Sequence, residues 1–156
     1  MKQLHLSATL FVTLTLSSHA GIISAFGSGN EGWSGLTADP YQNGAPVVQG
    51  GLTAVHSPTS GNPGGYISLA DPDSNDTFFL APAAYLGNRL SSLNGSLRYD
   101  IYTDSSGDYA GPNIVLRGGG LTLIYFLPTQ PAQQDTWVTV TIPLAPGANW
   151  YLGQAN

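Results

Sequence analysis

Apolar side chains along the second half of the chain recur at every second residue, the spacing of a β-strand with one buried face. In one segment Leu97, Tyr99 and Ile101 fall on one face, with more polar residues between them. The 3.6-residue period of a long amphipathic helix is not found in any stretch. Strands with this alternation are predicted at 95–104, 113–117, 121–127 and 136–144.

Glycine and proline separate these strands in the manner of an antiparallel sheet. Gly118-Gly119-Gly120 lies between two of the strands and predicts a hairpin turn with positive φ. Short turns without crossover helices predict an all-β fold, an antiparallel jelly-roll-like β-sandwich. Further strands are predicted at 47–55, 65–70 and 77–80, with a single helical turn at 82–86.

The first twenty residues have the pattern of a secretory signal peptide. A short basic start is followed by an apolar run over 6–16, and Ser18-His19-Ala20 supplies small residues at positions −3 and −1 of a cleavage site. The run is shorter than the roughly 20 apolar residues that a membrane span needs. We therefore predict a secreted or cell-surface protein with a signal peptide at 1–20 and a single domain at 21–156.

Charge and cysteine content exclude several classes of function. Cleavage after Ala20 leaves three arginines, no lysine and nine acidic residues, a formal charge of −6. Such a surface argues against binding nucleic acid, which requires cations to neutralise phosphates, and against docking on anionic lipid. The absence of cysteine excludes disulfides, zinc–thiolate sites and cysteine nucleophiles.

An ordered series of short motifs resembles the laminin IV type A domain, also called laminin B. The motifs run from about Gly61 to the end of the chain, with a looser match upstream. They are 61–71 (GNPGGYISLAD), 77–82 (TFFLAP), 85–88 (YLGN), 93–100 (LNGSLRYD), 114–118 (IVLRG), 121–123 (LTL) and, upstream, 30–33 (NEGW).

The resemblance implies a jelly-roll-like sandwich, similar in architecture to carbohydrate-binding modules, with a non-catalytic extracellular role. It does not assign binding residues in this chain. In the family, strands continue after the region that matches Trp150-Tyr151-Leu152, whereas this chain ends at Asn156. We therefore expect a domain truncated at its C-terminus.

The densest acidic cluster is Asp71-Pro72-Asp73-Ser74-Asn75-Asp76. Its spacing fits the first three ligand positions of an EF-hand loop, but Asp76 stands where glycine is required and Pro82 where the bidentate glutamate should fall. One hypothesis is a calcium site of another type that uses Asp71, Asp73 and Asp76. The alternative is a solvated turn between two strands.

Aromatic residues outside the apolar faces are candidates for carbohydrate recognition, because the CH face of a sugar stacks on a flat ring. Tyr102, Tyr109 and Trp137 are the predicted ligand-binding residues. The alternative is that loops or a second layer cover them, as in many sandwiches.

The chain has no pattern that indicates an enzyme. Gly27 to Gly32 fits G-x-G-x-x-G, but the helix that a dinucleotide site requires is not predicted after it. His56 is the one histidine beyond the predicted signal peptide, and no G-x-S-x-G nucleophile elbow accompanies it. We predict a non-catalytic protein.

Three hypotheses of function follow. The first is a secreted binding or adhesion module that recognises carbohydrate or a matrix protein. The second is a structural surface protein whose C-terminal anchor is missing from this chain. The third and weakest is a secreted hydrolase, which would need two facing carboxylates that the sequence does not single out.

Overall fold

The computed structural model describes residues 2–7, 21–39, 47–104, 112–129 and 135–153. Helical structure in this part of the chain is limited to two short 3₁₀ turns, Ala83–Tyr85 and Leu90–Ser92. The strands are β1 (Lys2–Ser7), β2 (Ser34–Asp39), β3 (Val47–Leu52), β4 (Val55–Gly61), β5 (Gly64–Asp71), β6 (Asp76–Leu80), β7 (Ser96–Thr103), β8 (Ile114–Gly118), β9 (Leu121–Tyr125), β10 (Val138–Pro143) and β11 (Trp150–Gly153).

The strands form three sheets in which every described pair is antiparallel. The largest sheet has five strands in the order β10-β7-β1-β5-β4. Two sheets of three strands have the orders β11-β9-β8 and β3-β2-β6. The prediction of an all-β antiparallel fold is confirmed, while the jelly-roll connection pattern stays a prediction.

One hydrophobic core joins the sheets into a sandwich. The five-stranded sheet contributes Ile67, Leu69, Tyr99, Val140 and Ile142, all buried. These residues alternate along β5, β7 and β10, so the predicted apolar faces of β7 and β10 are confirmed. From outside this sheet the core receives Phe26, Trp33, Ala54 and Tyr125. Burial raises the pKa of the Tyr99 hydroxyl far above its ordinary value, as expected for a phenol inside this core.

The glycine turn between β8 and β9 is confirmed. Gly118 pairs with Leu121, and Gly119 and Gly120 both have positive φ, 58° and 76°. Two such residues match the right-handed twist of the flanking strands, and glycine adopts this conformation without a steric cost.

The prediction of one strand over 47–55 is wrong. The chain forms β3 up to Leu52 and starts β4 at Val55, in two different sheets. Ala54, between them, is buried in the core. The apolar pattern continues across this crossing, and alternation therefore cannot reveal the change of sheet.

The loop before β2 is fixed to the sandwich by side-chain hydrogen bonds. The Glu31 carboxylate accepts from the backbone N–H of Phe26 at 2.6 Å and of Ala25 at 3.2 Å. The Nε2–H of His56 donates to the Phe26 carbonyl, with the two atoms 2.7 Å apart. The Phe26 ring is fully buried and packs edge-on against Trp33. Phe26 therefore anchors this loop in the core.

A second set of contacts ties the same loop to the 3₁₀ turn Ala83–Tyr85. The Trp33 indole N–H and the Tyr85 hydroxyl both donate to the Ser24 hydroxyl oxygen, at 2.9 and 3.0 Å. The Trp33 and Tyr85 rings lie 5.2 Å apart. Burial raises the pKa of the Tyr85 hydroxyl, and Glu31 raises it further, whereas the bond to Ser24 lowers it.

Strand β1 lies within the predicted signal peptide. It pairs with β5 on one side and with β7 on the other. Strands β5 and β7 therefore do not pair with each other, because β1 lies between them. Removal of residues 1–20 would therefore take away the neighbour that β5 and β7 share. Each buried backbone group that loses its hydrogen bond in this way costs about 1–3 kcal/mol.

We expect the amides of β5 and β7 that face β1 to exchange faster with deuterated solvent in a protein of residues 21–156 than in the full chain. Hydrogen exchange with mass spectrometry measures this difference, and β10, on the other edge of β7, is the internal control. Equal protection of β5 in the two proteins would contradict this expectation and would show that the sheet does not need β1.

Among the described residues, none of the helical segments has the length and apolar character to cross a bilayer.

Candidate functional site

Three aromatic rings meet on the five-stranded sheet, on the face opposite the core. Tyr66 lies on β5, Tyr102 on β7, and Trp137 directly before β10. The Trp137 ring centroid lies 5.3 Å from that of Tyr102 and 5.7 Å from that of Tyr66. The planes are inclined at 49° and 63°, which are favourable tilted and edge-on arrangements. We call this cluster the aromatic cleft.

Strand alternation places the three rings on the same side. Tyr66 precedes the buried Ile67, and Tyr102 follows Ile101, which packs on the core. Val138 pairs with Ile101 in an antiparallel register, so Trp137, one residue earlier, stands opposite Tyr102. Because neighbouring residues of a strand point to opposite faces, all three rings lie away from the core.

Hydrogen bonds hold two of the rings in place. The Tyr102 hydroxyl donates to Oδ1 of Asp135 at 2.9 Å, and the Trp137 indole N–H donates to the Ser60 carbonyl oxygen at 3.1 Å. The bond to Asp135 is the main reason that the pKa of Tyr102 is raised.

The aromatic cleft is a half-open depression of about 260 Å³, lined by Ser60, Tyr66, Tyr102 and Trp137. This volume lies just below the range of roughly 300–1,000 Å³ that is usual for small-molecule sites. The cavity is therefore of a size for one small ring rather than for an extended cofactor. Polar atoms and apolar ring surface contribute about equally to its lining, so it offers both kinds of contact to a ligand with CH and OH groups.

The structure brings together two of the three aromatic residues predicted to bind ligand, Tyr102 and Trp137. The third, Tyr109, lies outside the described residues. Tyr66 completes the cleft and was not predicted. Its alternation with Ile67 and Leu69 was a usable signal, but its closeness to Tyr102 depends on the order of strands in the sheet.

The acidic residues predicted to bind calcium lie at the connection between β5 and β6. Oδ1 of Asp71 accepts from the Thr77 hydroxyl at 3.0 Å, and Oδ1 of Asp73 accepts from the Asn75 backbone N–H at 2.7 Å. The second of these bonds is typical of an Asx turn. In the part of the chain that the structure describes, histidine and acidic side chains do not form a group of three suited to a metal ion. Calcium binding by Asp71, Asp73 and Asp76 stays a prediction.

A calcium site here would raise the melting temperature in millimolar calcium above that in chelator, because a ligand that binds only the folded state stabilises it. Thermal unfolding followed by circular dichroism measures this, with Asp73→Asn as the matched variant. Identical melting temperatures with calcium and with chelator would remove the hypothesis and leave the turn.

His56 has a structural role in the described geometry. A carbonyl oxygen only accepts, so the contact with Phe26 requires the proton on Nε2. The Gly27–Gly32 segment that fits a dinucleotide motif leads into β2 and not into a helix. The phosphate-binding geometry of that motif, which needs a helix N-terminus, is therefore not formed there.

The fold and the cleft define an antiparallel β-sandwich with an outward-facing aromatic cleft, an arrangement suited to binding. Residues 78–156 match the family model Laminin B (Domain IV), just over half of the chain. The chain belongs to this family, which confirms the resemblance seen in its motifs. Laminin B is a non-catalytic structural domain family, typical of extracellular matrix proteins. No solved structure matches the chain.

Proposed function

We propose that this protein is a secreted, non-catalytic binding module that recognises carbohydrate through the aromatic cleft. The observation that carries the proposal is the convergence of Tyr66, Tyr102 and Trp137 around one cavity on the outer face of a sheet. Membership of an extracellular domain family and the signal-peptide pattern of residues 1–20 support the proposed secretion.

The chemistry of the cleft matches that of a sugar. A pyranose has an apolar CH face that stacks on an aromatic ring and hydroxyl groups that donate and accept hydrogen bonds around its edge. Trp137 offers the largest flat surface in the cleft. Asp135 and the Ser60 carbonyl offer acceptors at the rim, each already oriented by a bond to a ring of the cleft.

A single sugar ring would bind weakly. A hexose has about 12 non-hydrogen atoms, and at about −0.3 kcal/mol per atom its binding free energy is about −4 kcal/mol. This corresponds to a Kd of about 1 mM. Affinity in this range suits an adhesion module, because several copies on a surface can bind a polymer together.

The proposal is tested by a glycan array followed by titration calorimetry with the best ligand. We expect saturable binding by the wild-type chain and at least a tenfold loss in Trp137→Ala, because about 1.5–3 kcal/mol of stacking and burial is removed. Trp150→Phe is the matched control: this indole also donates to a backbone carbonyl, that of Pro143, but it does not line the cleft. It should bind like the wild type.

Three outcomes would contradict the proposal or a part of it. Absence of saturable binding to any glycan would favour a structural surface protein, and equal binding by Trp137→Ala and the wild type would place the ligand elsewhere. Turnover of a glycan by the purified protein would contradict the non-catalytic part of the proposal.

A further inference from the structure

We infer that the aromatic cleft selects uncharged glycans and rejects sulfated or uronic-acid glycans. This inference rests on the proposed function and adds the ligand class. It is carried by the charges around the cleft, which are independent of the ring geometry.

The cleft has an acidic rim. Its lining residues, Ser60, Tyr66, Tyr102 and Trp137, carry no positive charge. A carboxylate, that of Asp135, accepts the hydrogen bond of the Tyr102 hydroxyl at 2.9 Å. A carboxylate has about four lone-pair positions, so Asp135 can accept from a sugar hydroxyl as well as from Tyr102.

The sequence on either side of the cleft adds acids and no cations. The segments 103–113 and 128–136 flank Tyr102 and Trp137 and contain no lysine, arginine or histidine. Their charged residues are Asp104, Asp108 and Asp135. Of these, Asp104 and Asp135 belong to the described residues, and the charge of each raises the pKa of the Tyr102 hydroxyl, so both carboxylates act electrostatically at the cleft.

The arginines of the described residues lie away from the cleft. Arg89 donates to the carbonyl oxygens of Tyr85 and Ala84. Arg98 is four residues before Tyr102 on β7, roughly 13 Å away along the strand. Arg117 lies on β8, in a different sheet. In the strand register of β1, His5 stands opposite Tyr102, so a chain that retains residues 1–20 has this one basic residue beside the cleft.

Sites for sulfate or carboxylate groups use arginine or lysine, whose charge-assisted hydrogen bonds offset the cost of removing the anion from water. The aromatic cleft has no such donor among its described lining residues. A neutral sugar needs only ring faces and hydroxyl partners, and the cleft supplies both. A sulfate within about 6 Å of Asp135 would lose about tenfold in affinity through repulsion alone.

The test is a titration of the full chain, and of its His5→Gln variant, which lacks the basic residue opposite Tyr102, with a neutral oligosaccharide found on the array and with the same oligosaccharide carrying one sulfate. We expect the Kd of the sulfated form to be at least tenfold larger than that of the neutral form. This ratio of the two Kd values should fall as salt is raised, because salt screens the repulsion. Asp135→Asn should lower the ratio of the two Kd values, because it removes the repelling charge. Asp73→Asn removes the same charge from the turn between β5 and β6 and should leave the ratio unchanged.

Equal or tighter binding of the sulfated form by the wild type would overturn the inference and leave the proposed function standing. An unchanged ratio in Asp135→Asn would overturn the role of Asp135 in selection. Binding of neither form, after a full array without a hit, would overturn the proposed function and this inference with it.

Discussion

Gly65→Ala will destabilise the sandwich by about 3 kcal/mol, the upper end of the usual cost of overpacking, because the clash is with backbone atoms. Gly65 is buried on β5, and a Cβ at this position would overlap the Phe26 carbonyl oxygen and lie 2.9 Å from the Ser57 carbonyl oxygen. Both are backbone atoms, so relief requires the loop before β2 or strand β4 to move. Urea unfolding followed by circular dichroism measures the change in the free energy of unfolding.

Gly118→Ala is the matched control for this substitution. Gly118 is also a strand residue, and a Cβ there meets nothing within 4 Å. Its free energy of unfolding should stay within about 0.5 kcal/mol of the wild type. If Gly65→Ala unfolded at the same urea concentration as Gly118→Ala, the close packing of this loop on β5 would be wrong.

Phe26→Ala should lower the free energy of unfolding by about 3–5 kcal/mol, the usual cost of removing a buried phenylalanine ring. Phe26 is 0% exposed, contacts Trp33 edge-on, and lies between the bonds to Glu31 and His56. Loss of the ring leaves a cavity in the core and weakens the attachment of the whole loop. Denaturant unfolding followed by circular dichroism measures the loss of stability, and fluorescence in a Trp137→Phe, Trp150→Phe background, where Trp33 is the remaining tryptophan, follows the loop.

Ile23→Ala provides the comparison within the same loop. Ile23 is 51% exposed, and its removal should change the free energy of unfolding by no more than about 0.5 kcal/mol. Similar losses for Ile23→Ala and Phe26→Ala would show that the loop is not anchored in the core through Phe26.

The parts of the fold that were predictable are those in which large apolar residues alternate over several positions. Strands β7 and β10 have this pattern, and their buried residues are the ones that alternation selects. The turn at Gly119 and Gly120 was predictable because consecutive glycines favour positive φ.

Strand β2 was not predicted because its sequence, SGLTAD, contains a single large apolar residue. Its burial depends on small side chains at close approaches. Gly35 leaves room for the Leu69 side chain, and Thr37 and Ala38 are buried. The reason for this strand lies in β5, more than thirty residues further along the chain, and local patterns cannot show it.

Strand β9 shows the opposite failure, a correctly predicted strand with the other face buried at its start. Leu121 and Leu123 are 55% and 37% exposed, whereas Thr122, on the opposite face, is buried. At the end of the strand Tyr125 enters the core, as alternation predicts. Alternation predicts the strand correctly, but which face is covered depends on what packs against the sheet.

The candidate site was predictable in part, because alternation with core residues also indicates which side chains face outward. Tyr102 and Trp137 stood out because they alternate with core residues on neighbouring segments, and Tyr66 has the same alternation. What joins the three is the Trp137 ring, which contacts both tyrosines from a segment distant from them in the sequence. The acidic cluster at 71–76 was conspicuous in the sequence, but two of its carboxylates accept hydrogen bonds from neighbouring residues at a turn.

The most direct test of the account is an NMR titration of ¹⁵N-labelled protein with a neutral glycan, following the indole N–H signals of its three tryptophans. Trp137 lines the cleft, whereas Trp33 is buried in the core and Trp150 hydrogen-bonds near β10. We predict that the Trp137 signal shifts in a saturable way while those of Trp33 and Trp150 stay in place. A static Trp137 signal at saturating glycan would contradict carbohydrate recognition by the aromatic cleft.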